Sequence, residues 1–158
     1  MGMHNGIKPG DLQIAVVGAG SWGTAISDLL ACKGYRIGLW VFEEEVKNQI
    51  MQEHENKLFL PGHKLSANIS ASNDLSAVVT DKNLIVIVVP SHLMRAVTQK
   101  MSGHLADGTM IVSASKGIEQ KTHLTMSGVI KDNLLNITDD QLAVLSGPSF
   151  AKEVVQKM

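Results

Sequence analysis

Three stretches of this chain set residues with chemical potential at telling spacings. The first is Gly18-Ala19-Gly20-Ser21-Trp22-Gly23, directly after the apolar run Ile14-Ala15-Val16-Val17. Read as G-x-G-x-x-G at a strand-to-helix junction, it is a recipe for a pyrophosphate cradle. Gly18 permits the tight turn, Gly20 lets backbone approach phosphate, and Gly23 lets helix pack on strand. The helix then offers its free amides and positive dipole end to an anion. Glycine-rich turns are common, so the motif needs its structural context. The second stretch is Ser115-Lys116-Gly117-Ile118-Glu119, which sets an ammonium beside a glycine. Such a lysine can face a carbonyl or a phosphate, although a lone lysine is by default a solvated surface group. The third is Leu145-Ser146-Gly147-Pro148-Ser149-Phe150-Ala151. It could bring backbone close to a ligand, or it could be a plain turn with Ser149 as the helix N-cap.

Elements that position these stretches can be read from periodicity. Gln13 to Val17 is a strand candidate, and Trp22 to Lys33 carries apolar residues at helical spacing, with Gly34 as a C-cap. Arg36 to Phe42 is the next strand. The glycine motif thus lies in a βαβ unit of about 30 residues, its expected host. The fingerprint wants an acid about 20 residues past the glycines for a ribose hydroxyl. Glu43 stands at that distance from Gly23, followed by Glu44 and Glu45. No Arg or Lys stands at this strand end to pair with a 2′-phosphate, so the charge favours NAD over NADP. Acids are also welcome in any first helical turn, which leaves a purely structural alternative.

Further along, Glu43 to Glu55 has helical spacing, and the segment from Asn56 to Leu65 contains Pro61-Gly62 and reads as a loop. Ile69 to Ser72 is a short strand candidate and Leu75 to Val79 a helix fragment. Leu84 to Val89 is an unbroken run of branched aliphatics, the pattern of a strand buried on both faces in mid-sheet. Pro90-Ser91 stops it, and His92 to Met101 restarts a helix. Met110 to Ala114 and Leu142 to Leu145 are strands, Leu124 to Leu135 is a helix, and a last helix begins at Ser149. Alternating strands and helices predict an α/β fold with a doubly wound parallel sheet. The loops at 18–23, 42–45, 90–93, 115–119 and 147–150 all follow strands, so they are expected to meet at one crevice.

Composition narrows the classes of function. The chain has 158 residues, 44% of them hydrophobic and 18% charged, with a formal net charge of −1. That balance argues against nucleic acid as the main partner. No run reaches the ~18 apolar residues of a membrane span. The single cysteine, Cys32, excludes an internal disulfide and fits a reducing compartment. Met1 to Asp11 has no apolar core for a signal peptide and reads as a flexible leader. The six histidines show no zinc-ligand spacing, and neither a nucleophile elbow nor a Walker A lysine is present.

Taken together, the ordered strings resemble one family, the NAD(P)-dependent glycerol-3-phosphate dehydrogenases. Gly18-Ala-Gly-Ser-Trp-Gly-Thr-Ala25 resembles the family's cofactor loop. Trp40-Val-Phe-Glu-Glu44, His54-Glu-Asn56 and Phe59-Leu-Pro-Gly-His-Lys-Leu65 resemble its NAD-specific eukaryotic branch. Val88-Val-Pro-Ser91, Ser115-Lys-Gly-Ile-Glu119 and Leu145-Ser-Gly-Pro-Ser-Phe-Ala-Lys-Glu-Val154 resemble the bacterial branch. The resemblance implies a Rossmann-type domain and, position by position, a site. Gly18, Gly20, Ser21, Trp22 and Gly23 would cradle the cofactor, with Phe42 and Glu43 at its adenosine end. Pro90 would contact the cofactor, and Leu93 would lie on its nicotinamide side. Lys116 would touch both cofactor and substrate, Gly147 and Ser149 the substrate, and Ala151 the cofactor.

The same resemblance implies hydride transfer between NAD(H) and dihydroxyacetone phosphate or glycerol 3-phosphate, in a cytoplasmic enzyme that is a homodimer. It divides the chain into a leader over 1–11 and a nucleotide-binding domain over 12–158. The family's last sheet strands, and a helical substrate domain carrying the general acid/base lysine, are expected beyond Met158. No metal is expected, and the chain by itself is expected to show no turnover. The alternatives are another two-domain reductase of the 2-hydroxyacid or ketopantoate type, or a non-catalytic NAD-sensing module. The Lys116-Gly117 and Gly147-Pro148-Ser149 pair argues against the first.

Overall fold

The order in which hydrophobic strands alternate with amphipathic helices is realised as a layered sheet. The computed structural model describes residues 9–147 and 149–156. Most of the expected leader therefore lies outside the described residues, and Pro9–Asp11 at its end form a 3-10 turn. Six strands follow: β1 Ile14–Val17, β2 Ile37–Trp40, β3 Ile69–Ser72, β4 Leu84–Ile87, β5 Met110–Ser113 and β6 Leu142–Val144. The helices are α1 Ser21–Cys32, α2 Glu44–Glu53, α3 Leu75–Val79, α4 Met94–Met101, α5 Met126–Asn133 and α6 Ala151–Val155. The sheet order is β3-β2-β1-β4-β5-β6, the strand order of the Rossmann fold.

All the strand pairs are parallel. Register aligns Ser72 with Trp40, Trp40 with Val17, Val17 with Ile87, Ile87 with Ser113 and Ser113 with Val144. Every strand therefore ends level, and the loops that follow emerge on one edge. The topological switch point, where ligands settle in such sheets, lies between β1 and β4.

The side-chain period of two divides the core between two faces. Ala15, Val17, Ile85, Ile87 and Ile111 pack under α3, α4 and α5 with Val78, Met94, Met101 and Ile130. Ile14, Val16, Leu39 and Val86 pack on the other face under α1 and α2 with Ile26, Val46 and Ile50. This double burial explains the aliphatic run of β4, since neither face can be polar. Burial of a large aliphatic such as Ile85 or Ile87 contributes roughly 1.5–3 kcal/mol.

Boundaries differ from the expected ones where local bonds win. The helix expected from His92 begins with a 3-10 turn at Ser91–Leu93, because the Pro90 carbonyl accepts from Leu93 N–H at 2.9 Å. The helix expected from Leu124 begins at Met126, where the Thr125 hydroxyl caps Gly128 N–H. The expected strand Arg36 to Phe42 ends at Trp40. Phe42 turns outward and is 77% exposed.

Candidate functional site

The glycine turn is shaped by the lack of side chains at two positions. Gly18 has φ +114°, and a Cβ there would sit 2.3 Å from the Val88 carbonyl oxygen. Its N–H donates to the Trp40 carbonyl at 3.1 Å, so the turn is tied to β2 and pressed on the end of β4. A Cβ at Gly23 would sit 1.9 Å from the Gly18 carbonyl oxygen, which is why α1 can begin so close to the turn. At Gly20 a Cβ would meet nothing within 4 Å. That open side faces the start of α1, whose N-cap is Gly20, with no side-chain cap and no acid in its first turn. Ser21 is the exposed first residue of the helix. Unpaired amides at a helix N-terminus, unobstructed and with no competing carboxylate, favour an anion.

At the end of β2 the carboxylates separate into two kinds. Glu44 pairs with Lys47 at 3.5 Å, and Glu45 accepts from Gln49 at 3.3 Å, so both serve their own helix. Glu43 is the extended N-cap of α2 without a side-chain capping bond, and its carboxylate has no hydrogen-bond partner among the described residues. It is the acid left available for an external hydroxyl. Phe42 meets Trp40 edge to face, with centroids 6.3 Å apart. Trp40 Nε1 donates to the Asn73 carbonyl at 3.0 Å, and Asn73 Nδ2 donates to the Val41 carbonyl at 2.7 Å. This bracket from β3 holds the strand end that presents Phe42 and Glu43.

Beyond β5 the second cluster assembles. Lys116 Nζ donates to the Gly147 carbonyl at 3.2 Å and to Ser149 Oγ at 2.7 Å. Ser149 is therefore not a helix cap, as one alternative held. Phe150 is the N-cap of α6, and the Ser149 hydroxyl is spent on the lysine. Pro148 lies outside the described residues. Ser115 Oγ accepts from Val89 N–H at 2.9 Å, which ties the lysine loop to the end of β4 beside Pro90. Leu93 is exposed at the close of the following 3-10 turn. Trp22 packs against the cluster of Ala25, Leu60 and Ala151, so the glycine loop and the start of α6 share one small core.

A groove of about 380 Å³ runs over Leu84, Val86, Val112 and Ala114 and is lined by Trp22, Lys116, Gly147 and Ser149 among the candidate residues, but not by Gly18, Gly20, Ser21, Gly23, Pro90, Leu93 or Ala151. Phe42 and Glu43 do not line it. They sit at β2, three strand spacings from Lys116 at β5, or about 14 Å. An elongated ligand laid over the switch point would meet both. A larger cavity of about 580 Å³ lies over β2 and β3, lined by Gln13, Arg36, Ser70 and Lys82, and holds none of the candidate residues. The smaller groove, which Trp22, Lys116, Gly147 and Ser149 line, is therefore the better site candidate.

Sequence reading assigned no role to several residues that hold this arrangement. The Arg95 guanidinium grips both oxygens of Glu119 at 2.8 Å and Asp132 at 2.6 Å, joining α4 to the lysine loop and α5. The Arg95 hydrogen bonds, then that of Thr122, hold the Glu119 carboxyl at about 2, below its ordinary 4.5. A depressed carboxyl stabilises the fold above its unfolded value, and that contribution fades as pH falls from about 4.5 towards 2. Wild type should be more thermostable than Glu119→Gln at pH 6, and the gap in melting midpoints should narrow by pH 3 and close only as pH approaches 2. A gap at pH 3 as wide as at pH 6 would contradict this account. Asp28 and Asn56 belong to the same overlooked group. Asp28 Oδ2 lies 2.7 Å from His63 Nε2, and its Oδ1 accepts from Ser66 N–H at 2.8 Å. Such partners lie far apart in the chain and leave no periodic signal.

The chain matches the family described as the N-terminus of NAD-dependent glycerol-3-phosphate dehydrogenase over residues 13–158. A glycerol-3-phosphate dehydrogenase [NAD(P)+] of Syntrophobacter fumaroxidans is 46% identical over 152 residues, covering 96% of this chain and 44% of the relative. The crystal structure of glycerol-3-phosphate dehydrogenase from Coxiella burnetii superposes with a TM-score of 0.83 at 33% identity, over 93% of this chain and 44% of that one. A yeast glycerol-3-phosphate dehydrogenase structure gives a TM-score of 0.81 at 32% identity, over 92% and 44% respectively. The chain thus spans less than half the length of these relatives.

Proposed function

We propose that this chain, which belongs to the NAD-dependent glycerol-3-phosphate dehydrogenase family as its N-terminal domain, binds NAD(H) across the ends of β2, β1, β4 and β5. The observation that carries the reading is the open, amide-lined start of α1 at Gly20, with an unpartnered Glu43 on one side and Lys116 on the other. The residues fit the group. The first-turn amides of α1 would hold the pyrophosphate, and Glu43 would accept from a ribose hydroxyl beside Phe42. Pro90 and Leu93 would border the nicotinamide side, and Trp22 and Ala151, which share one small core, would contact the cofactor. Bound NAD(H) supplies or accepts a hydride.

Lys116, Gly147 and Ser149 would hold dihydroxyacetone phosphate or glycerol 3-phosphate. The ammonium would orient the substrate oxygen and offset the negative charge that develops on it. Proton transfer to that oxygen is assigned to a lysine outside this domain. On this reading the whole enzyme is a cytoplasmic homodimer acting on a small molecule, with no nucleic-acid partner. Among the described residues no helix is long and apolar enough to cross a membrane. The relatives are named as NAD(P)+ enzymes, and the Glu43 carboxylate is what favours NAD here.

Calorimetric titration tests the reading. NADH is expected to bind at least about tenfold more tightly than NADPH, or ~1.4 kcal/mol, because a 2′-phosphate would face Glu43. Glu43→Gln should narrow the ratio. Equal or tighter NADPH binding would overturn the assignment of Glu43, and binding of neither would overturn the function.

A further inference from the structure

We infer that Asn56 is a positioning residue for the pyrophosphate cradle, acting through the carbonyl of Ala19. Asn56 lies on the loop after α2, remote in sequence from the glycine turn, and is fully buried. Its Nδ2 donates to the Ala19 carbonyl at 2.8 Å and to Thr24 Oγ1 at 2.8 Å. Thr24 Oγ1 in turn donates to the same Ala19 carbonyl at 3.1 Å. The Asn56 Oδ1 accepts from Phe59 N–H at 3.0 Å, so each end of the amide faces the group it requires. Two donors therefore converge on one backbone oxygen inside the glycine motif.

The consequence follows from peptide geometry. The bond between Ala19 and Gly20 is trans, so its carbonyl and its N–H point in opposite directions. Holding the Ala19 oxygen against Asn56 and Thr24 aims the Gly20 N–H the other way. That N–H has no acceptor among the described residues, as expected of a donor kept for a ligand. The buried triangle of Asn56, Thr24 and Ala19 thus fixes the amide before the anion arrives. A preorganised donor costs no reorganisation on binding. Without the triangle the peptide plane is free to rotate and the amide loses its aim, although no contact to the ligand has been removed.

This inference rests on the reading of the glycine turn as the NAD(H) pyrophosphate site, and the test separates the two. NADH is titrated calorimetrically into the whole chain and four variants, and the amide resonance of Gly20 is followed in 15N-labelled samples. Asn56→Ala and Thr24→Val are expected to weaken NADH binding about tenfold and to shrink the ligand-induced shift of Gly20. Thr24→Ser keeps the hydroxyl and should bind within about twofold of wild type. His63→Gln loosens the far end of the same loop at Asp28 and should lower the melting midpoint while leaving NADH affinity within about twofold. Should Asn56→Ala fail to fold, the contrast between Thr24→Val and Thr24→Ser decides. Wild-type affinity in Thr24→Val, or an equal loss in His63→Gln, would overturn the inference while the site reading stands. A wild-type chain that binds no NADH overturns the site reading itself.

Discussion

Gly23→Ala is expected to destabilise the domain by at least about 3 kcal/mol and to abolish measurable NADH binding. The added methyl would sit 1.9 Å from the Gly18 carbonyl oxygen and 3.0 Å from its carbon, both backbone atoms. Gly23 lies inside α1, so the backbone conformation itself is compatible with alanine and the cost is steric. Gly18 cannot retreat. It is hydrogen-bonded to the Trp40 carbonyl and pressed against the end of β4. Relief must come from α1, whose Ala25 and Ile26 are buried. Moving the helix opens that packing and carries the first-turn amides away from the ligand. In a domain of this size the loss corresponds to roughly 6–12 °C in the melting midpoint. Gly20→Ala is the informative companion. It meets nothing within 4 Å and has φ −62°, so its melting midpoint should stay near that of wild type. Its methyl would occupy the space an approaching phosphate needs, and NADH affinity should fall. Thermal melts and NADH titrations of both variants check the pair, and a Gly23→Ala protein as stable as wild type would refute the steric argument.

The contrast between these glycines marks what a sequence can disclose. Spacing identifies the turn, because the same three positions must be small wherever a strand, a tight turn and a helix meet. It does not reveal which glycine serves the fold and which the ligand, since that depends on how closely Val88, just past β4, and the Gly18 carbonyl approach. The aliphatic run at Leu84 to Val89 was legible as a mid-sheet strand because burial on both faces removes the polar alternation that edge strands keep. The glutamates from Glu43 to Glu45 were not separable in sequence. They became so when Lys47 and Gln49, one turn along α2, were seen to engage only the second and third. On its own residues the Ser149 turn reads first as a helix cap, and what excludes the cap is the Phe150 N-cap of α6 and the Lys116 ammonium on the Ser149 hydroxyl, neither visible in spacing. Asn56, Asn73 and Arg95 share a different property. Each acts on groups brought near by the tertiary fold, and a single side chain so placed has no period to detect.

Lys116→Met is expected to lower kcat/KM for dihydroxyacetone phosphate by about 10²–10³, with NADH affinity changed less than about threefold. The separation of the two effects follows from where the side chain is held. The Lys116 loop is fixed from three directions: Ser115 on the Val89 amide, Gly117 against Ser91, and Glu119 in the grip of Arg95. None of these anchors involves the ammonium, so its loss should leave the loop and the cofactor groove in place. Its hydrogen-bond partners, the Gly147 carbonyl and the Ser149 hydroxyl, are neutral, so its positive charge is not neutralised by an ion pair there. A substrate that develops negative charge on oxygen can recruit that charge without first breaking a salt bridge. Methionine keeps much of the length and apolar stem while removing the donor and the charge. Arginine would keep the charge but replace a compact ammonium with a broad planar fork, so Lys116→Arg should recover little of the activity. The kinetics call for a chain that unites this domain with the C-terminal part its relatives possess, while NADH affinity can be read on the domain itself. An unchanged kcat/KM would remove Lys116 from the reaction, and a loss matched by an equal loss of NADH affinity would make it a cofactor contact only.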